Sequence, residues 1–473
     1  MATNSIRGGA NRTVLEAISR DSRIFEAWSD EPWINEGAAV RVSLVCFGLA
    51  QASARLNNRE VAQLYANLTA PESAGDAADI SRAVALPANR SASFQGASKK
   101  AKFEIGAALA REWLALPNPH GNPNSDVLKP WANGFELSRG PQHQWIIDFG
   151  IELPEVAAAL YEAPFAYAVG HVREERLKNN REAYRKFWWR FAEPRPGLRA
   201  ALMPLLRFIG TVAHSKHRFF VWLPTTTSPD QALITVARAD DTTFGILHSR
   251  LHEVWSLRLG TSIGIGNDPR YTPTTCFETF PFPAGLTPAD TAHQRTAPLQ
   301  GGALIPADLP PAVRPHAEAI ASAAHRLVAL RDAWLNPPEW TQRLPEVVPL
   351  GMNTSPYPDR IVARSGFEKP LALRMRLRAL CARLSVEASL PPHARERLVE
   401  MQEAAATNRR HELPAAVGPG HAYSLPGPAA RAQRRSADQA DQVDFETLMV
   451  GNLAEKSQAL SAIFTATLRA TAL

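Results

Sequence analysis

The residues of this 473-residue chain that could do chemistry are cations set among aromatic rings. Between Arg173 and Arg199 lie nine Lys or Arg residues against four acidic ones, and Phe187, Trp188, Trp189 and Phe191 are interleaved with Lys186 and Arg190. Such a run can be a solvated helix face, and adjacent tryptophans pack a core more often than they stack on a base. The theme recurs in His214-Ser215-Lys216-His217-Arg218 and in Asn267-Asp268-Pro269-Arg270-Tyr271. Both read as loops between strong core elements, which is where phosphate clamps and groove readers sit on a rigid scaffold. Lys216, Arg218, Arg190, Arg270 and Arg139 are the candidates for contact with phosphate or base.

Other constellations come close and fail on their own chemistry. Amino-methylation of adenine uses Asn or Asp, two prolines and an aromatic ring beside a flipped base. Asn336-Pro337-Pro338-Glu339 puts Glu where the ring belongs and follows a helical pattern, so it reads as a helix stop with a proline turn. Asp30-Glu31-Pro32-Trp33 has Glu in place of the first proline. Gly260-Thr261-Ser262-Ile263-Gly264-Ile265-Gly266 follows a helix, whereas a cofactor loop lies between a strand and a helix. Gly8-Gly9 reads as a tight turn or a close backbone approach to a ligand. His248 and His252 have zinc-compatible spacing but lack a third ligand, and an exposed or capping role is expected for them. Pro229-Asp230 lacks the acidic-x-Lys pair of a two-metal nuclease.

Several elements must position these residues. Arg23–Trp28 and Ala38–Phe47 read as strands, with a short helix over 13–19 before them. Gln144–Phe149 reads as a buried strand, 156–192 as one long helix, and 205–239 as a strand, a turn at His214–His217 and two further strands. Thr243–Leu257 reads as a helix presenting Phe244, Leu247, Leu251 and Val254 on one face. Pro283–Pro315 reads as a linker or extended wrap, and His316–Leu335 as a helix aligning Ile320, Leu327, Leu330 and Trp334. Pro414–Gln442 is expected to be disordered.

Bulk properties set wide bounds. A net charge of +6 and a pI near 9.3 permit nucleic-acid partners without requiring them. Three scattered cysteines, Cys46, Cys276 and Cys381, make no disulfide framework or zinc site and fit a cytoplasmic location. No eighteen-residue apolar stretch or secretory signal is present, and the opening residues are expected to continue an upstream segment.

Several runs together are similar to the MmeI-like adenine-specific DNA methyltransferases, relatives of fused restriction–modification enzymes. They are Ala2–Arg12, Ala27–Trp33 leading into Gly37–Ser43, Asn124–Gly134, Trp145–Gly150, Lys186–Trp189 and Tyr271–Pro283. The likeness extends in matching order over residues 1 to about 365; the Ala/Arg-rich remainder departs from it. The resemblance implies an α/β and α+β chain: the tail of a Rossmann-like methyltransferase sheet over 1–115, a mixed α+β target-recognition domain over 116–285, a linker and helical region over 286–370 and a divergent tail over 371–473. It implies S-adenosylmethionine-dependent methylation of adenine N6 within a specific double-stranded DNA sequence. The cofactor loop and the Asn-Pro-Pro-Tyr motif are expected upstream of Met1, so no residue here inherits a catalytic role and the chain alone is expected to be inactive. A non-catalytic specificity module working with a separate methyltransferase portion, or an inactive truncated fragment, are the rival readings.

Overall fold

A computed structural model describes residues 1–7, 11–35, 38–49, 53–70, 83–139, 143–215, 217–263 and 268–366. Met1–Asp332 and Gln342–Val362 belong to one compact unit, while Ala333–Thr341 and 363–366 belong to a second. Lys216, the Gly8-Gly9 pair, the 264–267 loop and everything from 367 onward, including Pro414–Gln442 and the 371–473 tail, lie outside the described residues. Among the described residues no helix is long and apolar enough to cross a membrane.

The amino-terminal part is a helix against a mostly antiparallel sheet. Strands Arg23–Asn35 and Ala38–Gly48 form a long hairpin, flanked by Ala2–Thr3 on one side and by Ala54–Leu56 and Arg59–Val61 on the other. Only the contact of Arg23–Asn35 with Ala54–Leu56 is parallel. Helix Arg12–Asp21 lays Leu15 into a small core with Ile24, Ala27 and Leu68. The hairpin's register slips between Trp28 and Glu31, and there the Asp30 carboxylate accepts from Arg41 Nε at 2.7 Å. Asp30 thus braces a strand irregularity, the structural alternative to a base-stacking motif.

Two four-stranded sheets follow. One has the order Val221–Pro224, Arg207–Val212, Leu233–Val236, Ser93–Gln95, antiparallel throughout. Its central strand is buried on both faces: Ile209 packs with Phe244, Phe277 and Ile320, while Phe208 packs with Leu198 and Leu205. The other has the order Ser228–Pro229, Leu128–Ala132, Trp145–Ile147, Glu104–Ile105, and the Trp145–Ile147 strand expected to be buried is buried at every position. Trp188, Trp189 and Phe191 join its core and leave only Phe187 substantially exposed.

Three expected elements are corrected. The span 156–192 is not one helix but the short helices Glu155–Ala158, Glu162–Ala168, Glu174–Leu177 and Glu182–Lys186, with a π-turn over Val169–Arg173. Tyr161 leaves helical geometry at φ −86°, ψ 75°, and Asn179 Oδ1 accepts the Arg181 N–H, closing a local turn in place of a helical bond. The 243–257 helix is two, Asp241–His248 and Arg250–Leu259. Ser249 is extended (ψ 151°) and its hydroxyl caps the second helix by accepting the His252 N–H at 3.2 Å. Pro283–Pro315 is no free linker: it contains the hairpin Thr296–Pro298 with Leu304–Pro306, whose Leu304 N–H donates to the buried Asp241 carboxylate at 2.8 Å. Helix Arg314–Leu335 then buries Ala317, Ile320, Ala324 and Leu327, and the Pro337 carbonyl accepts from Trp340 and Thr341, a helix stop followed by a proline turn.

Candidate nucleic-acid interface

The strand Arg207–Val212 delivers the chain into the first cation-bearing loop, and the hairpin Thr261–Ile263 with Asp268–Arg270 delivers the second. The structure lays the two side by side. Tyr271 N–H donates to Ala213 O at 2.7 Å, Ser215 N–H to Pro269 O at 3.3 Å, and His214 bridges Arg270 in antiparallel fashion. A β-like seam therefore joins loops more than fifty residues apart in sequence. Gly260 is part of the seam's footing: a Cβ there would lie 2.6 Å from Arg270 O and 2.7 Å from Ser256 O, so any side chain would displace backbone.

Beneath the seam is a buried polar chain. Arg218 folds inward, its Nη1 donating to Val212 O at 2.6 Å and to Thr211 Oγ1 at 3.2 Å, its Nη2 to Pro269 O at 3.3 Å. Its guanidinium also lies 4.8 Å from the centre of the Tyr271 ring. Tyr271 is 1% exposed and its hydroxyl meets His252 Nε2 at 2.9 Å. His248 Nε2 accepts the Phe220 N–H at 3.2 Å, which leaves the ring proton of the neutral form on Nδ1, facing Phe244 O at 3.3 Å.

Burial pushes both His248 and His252 down to about 3, helped by the Arg331 charge at His248 and by Arg218 at His252; Tyr271 is pushed up by the same desolvation. Both imidazoles are therefore neutral at physiological pH. The expected exposed or capping role is overturned for His252, a buried support for the loop pair wholly enclosed by Phe220, Tyr271 and Phe280. His248 is half-buried at the end of helix Asp241–His248, facing the Phe244 carbonyl of its own last turn. Among the described residues no group of three or more metal-ligating side chains forms.

The five sequence candidates separate by where their charge goes. Arg270 is exposed, and its side chain makes no hydrogen bond or ion pair among the described residues. Arg218 is engaged as above. Arg190 donates to the carbonyls of Ile151 and, at 2.9 Å, of Leu153, with its guanidinium over Phe187 and Trp189. The backbone of Arg139 ends the helix Gly134–Arg139, but its side chain is outside the described set, as is all of Lys216. Arg218 and Arg270 are brought to one place; Arg190 is a brace in the other sheet's core. His217, exposed on the first loop beside Arg218, joins the outward-facing set.

Sequence reasoning missed the His252–Tyr271–Arg218 chain. The available signal was the company His252 keeps on its helix, where Leu251 and Trp255 pack against the same core.

With this geometry in place, comparison with known proteins is informative. Residues 118–284 match the family described as "MmeI, target recognition domain", a span that includes all five candidates and both loops. A solved structure of the Type IIL restriction–modification enzyme MmeI in complex with DNA is similar at 17% identity, covering 86% of this chain and 49% of that one, with a TM-score of 0.47. The chain spans about half the length of that relative. No curated protein matches.

Proposed function

With an MmeI-type target recognition domain at residues 118–284 as the premise, we propose that this chain reads a specific duplex DNA sequence on behalf of a restriction–modification enzyme. The match over 118–284 carries the reading, and the seam between the two cationic loops supplies the surface. Arg270, His217 and Lys216 are the residues offered to DNA, with Arg139 as a further contact. Arg218 and Arg190 hold the loops and the neighbouring sheet in place. A guanidinium on a rigid loop can grip phosphate or fork onto a guanine edge, and the buried polar chain fixes the loop's approach.

The modification served would be S-adenosylmethionine-dependent methylation of adenine N6, in keeping with the sequence resemblance. On that reading the hairpin Arg23–Asn35 with Ala38–Gly48 completes the methyltransferase sheet. The described residues do not fit a cofactor site. The glycine at 260 follows helix Arg250–Leu259 and is required by its contact with Arg270 O, while Gly106, between strand Glu104–Ile105 and helix Ala107–Leu114, stands without the further glycines of a cofactor loop. No step of methyl transfer is assigned to these residues.

The reading is tested by fluorescence anisotropy of the purified chain with duplexes of differing sequence across a salt series. Salt-dependent binding with one duplex preferred supports it, and Arg270→Ala should then lower affinity by about 1–3 kcal/mol if Arg270 grips a base. A folded chain that binds no duplex even at low salt would sink it.

A further inference from the structure

Between the amino-terminal helix and the end of helix Arg250–Leu259 with Gly260 lies a cleft of about 1050 Å³, none of whose residues were among the sequence candidates. Five arginines line it, Arg7, Arg12, Arg20, Arg23 and Arg258, against one acid, Glu16. Two of the five are engaged. Arg7 donates to Asn67 O and Ser29 O, each at 3.1 Å, and Arg12 pairs with Glu16 at 2.8 Å. Even so, Arg12 Nε is buried without a hydrogen-bond partner among the described residues. Arg20 and Arg258 are exposed, Arg23 is half-buried, and none of the three makes an ion pair or hydrogen bond among the described residues. Like charges gathered around one cavity raise its potential and disfavour the empty state; an anion relieves both.

We propose that this cleft holds the phosphodiester backbone of duplex DNA, as a second contact beyond the loop pair; the proposal rests on the DNA-reading function above. The open cations come from two separate parts of the chain, Arg20 in the last turn of helix Arg12–Asp21 with Arg23 at the start of the strand that follows, and Arg258 at the end of helix Arg250–Leu259. None of the three is buried, so none sits in a cradle of the kind that encloses a single small anion. Exposed guanidinium groups from separate elements suit a series of phosphates. Arg258 adjoins Gly260 and the hairpin that ends at Arg270, so one strand of DNA can run from the cleft to the loop pair. The cleft contributes affinity without sequence information, because phosphates are alike in every sequence.

The test uses the full chain with Arg20→Ala, Arg23→Ala and Arg258→Ala combined, beside the matching triple Lys variant. Anisotropy is read with two unrelated duplexes across a salt series, and melting curves confirm folding. The Ala variant should weaken both duplexes alike, about tenfold or more at 0.15 M salt, and flatten the log–log salt slope by about two to three. The Lys variant should keep the slope, since charge is kept. An unchanged slope in the Ala variant, with wild-type binding intact, overturns the cleft while leaving the loop reading standing. Absence of wild-type binding overturns both. Pyrophosphate that raises the wild-type Tm but not that of the Ala variant, together with an unchanged DNA slope, would reassign the cleft to a small anion and overturn the proposal.

Discussion

Two regions share a vocabulary of cations and aromatic rings and use it differently. From Arg173 to Arg199 the arginines next to the core turn inward, while Arg173, Lys178, Arg181, Arg185 and Lys186 stay exposed. Arg176, 1% exposed, donates to the carbonyls of Lys99 and Arg190; Arg190 donates to those of Ile151 and Leu153; and Arg199 grips Asp148 through both carboxylate oxygens at 2.9 Å. In the loop pair at 213–218 and 268–271, one arginine turns inward so that another can face outward. Arg218 ties the seam to its strand, and Arg270 is left on top. A run of basic residues therefore says little by itself about nucleic acid. What matters is whether unpaired carbonyls lie within reach of each guanidinium, because a buried carbonyl without a donor is costly and an arginine satisfies several at once.

The contrast can be broken or sharpened by four measurements, taken here in descending order of expected effect on stability. Acidification should strike the loop region hardest. His248 and His252 are held at about 3 when folded and rise to about 6.5 when unfolded, so the unfolded chain binds more protons between those values. Their contribution is fully present above pH 6.5 and is lost as pH falls toward 3. Between pH 7.5 and 5 the two together should cost about 4 kcal/mol, and His252→Gln should make the decline of Tm with pH shallower. A decline equally steep in that variant would remove His252 from the support.

Next comes Arg199→Ala, which leaves the Asp148 carboxylate, 4% exposed, with the Gly150 N–H at 3.0 Å and a single cation, Lys129, at 3.9 Å. A loss of about 3 kcal/mol is expected, seen in the urea midpoint; no change would mean that the 173–199 cations do not brace this core. Arg218→Ala should cost about 2 kcal/mol by removing the guanidinium donors to Val212 O, Thr211 Oγ1 and Pro269 O, the last of which keeps the Ser215 N–H, yet leave the salt slope of DNA binding unaltered. A flattened slope there would show that Arg218 reaches phosphate after all. Arg270→Ala should change stability by less than about 0.5 kcal/mol, and its whole effect should appear in DNA binding.

The parts of this molecule legible in its sequence are those decided locally. Alternation of β-branched and apolar residues marks Trp145–Ile147 and the Ala38–Gly48 strand, because a side-chain period of two is written in consecutive positions. The break at Ser249 was readable in principle, since serine is a preferred helix cap, but the apolar spacing on either side runs through it as if one helix continued. The fate of each arginine was not legible. Arg190 finds a carbonyl 39 residues away and Arg218 one 51 residues away, and no local pattern records such partners. The cleft arginines were missed for the same reason: Arg20, Arg23 and Arg258 become neighbours only through the fold.

The footing of the seam has a consequence for anyone who wishes to change what this chain reads. Gly260 supports Arg270 through backbone alone, and Arg218, His252 and Tyr271 support the loops from inside. The exposed side chains of His217 and Arg270 take no part in that support among the described residues. A mutant library should therefore divide cleanly: positions 217 and 270 accept nearly any amino acid with the protein still folded, whereas 218, 252, 260 and 271 return few survivors. Specificity in this architecture is a replaceable tip on a handle that resists replacement.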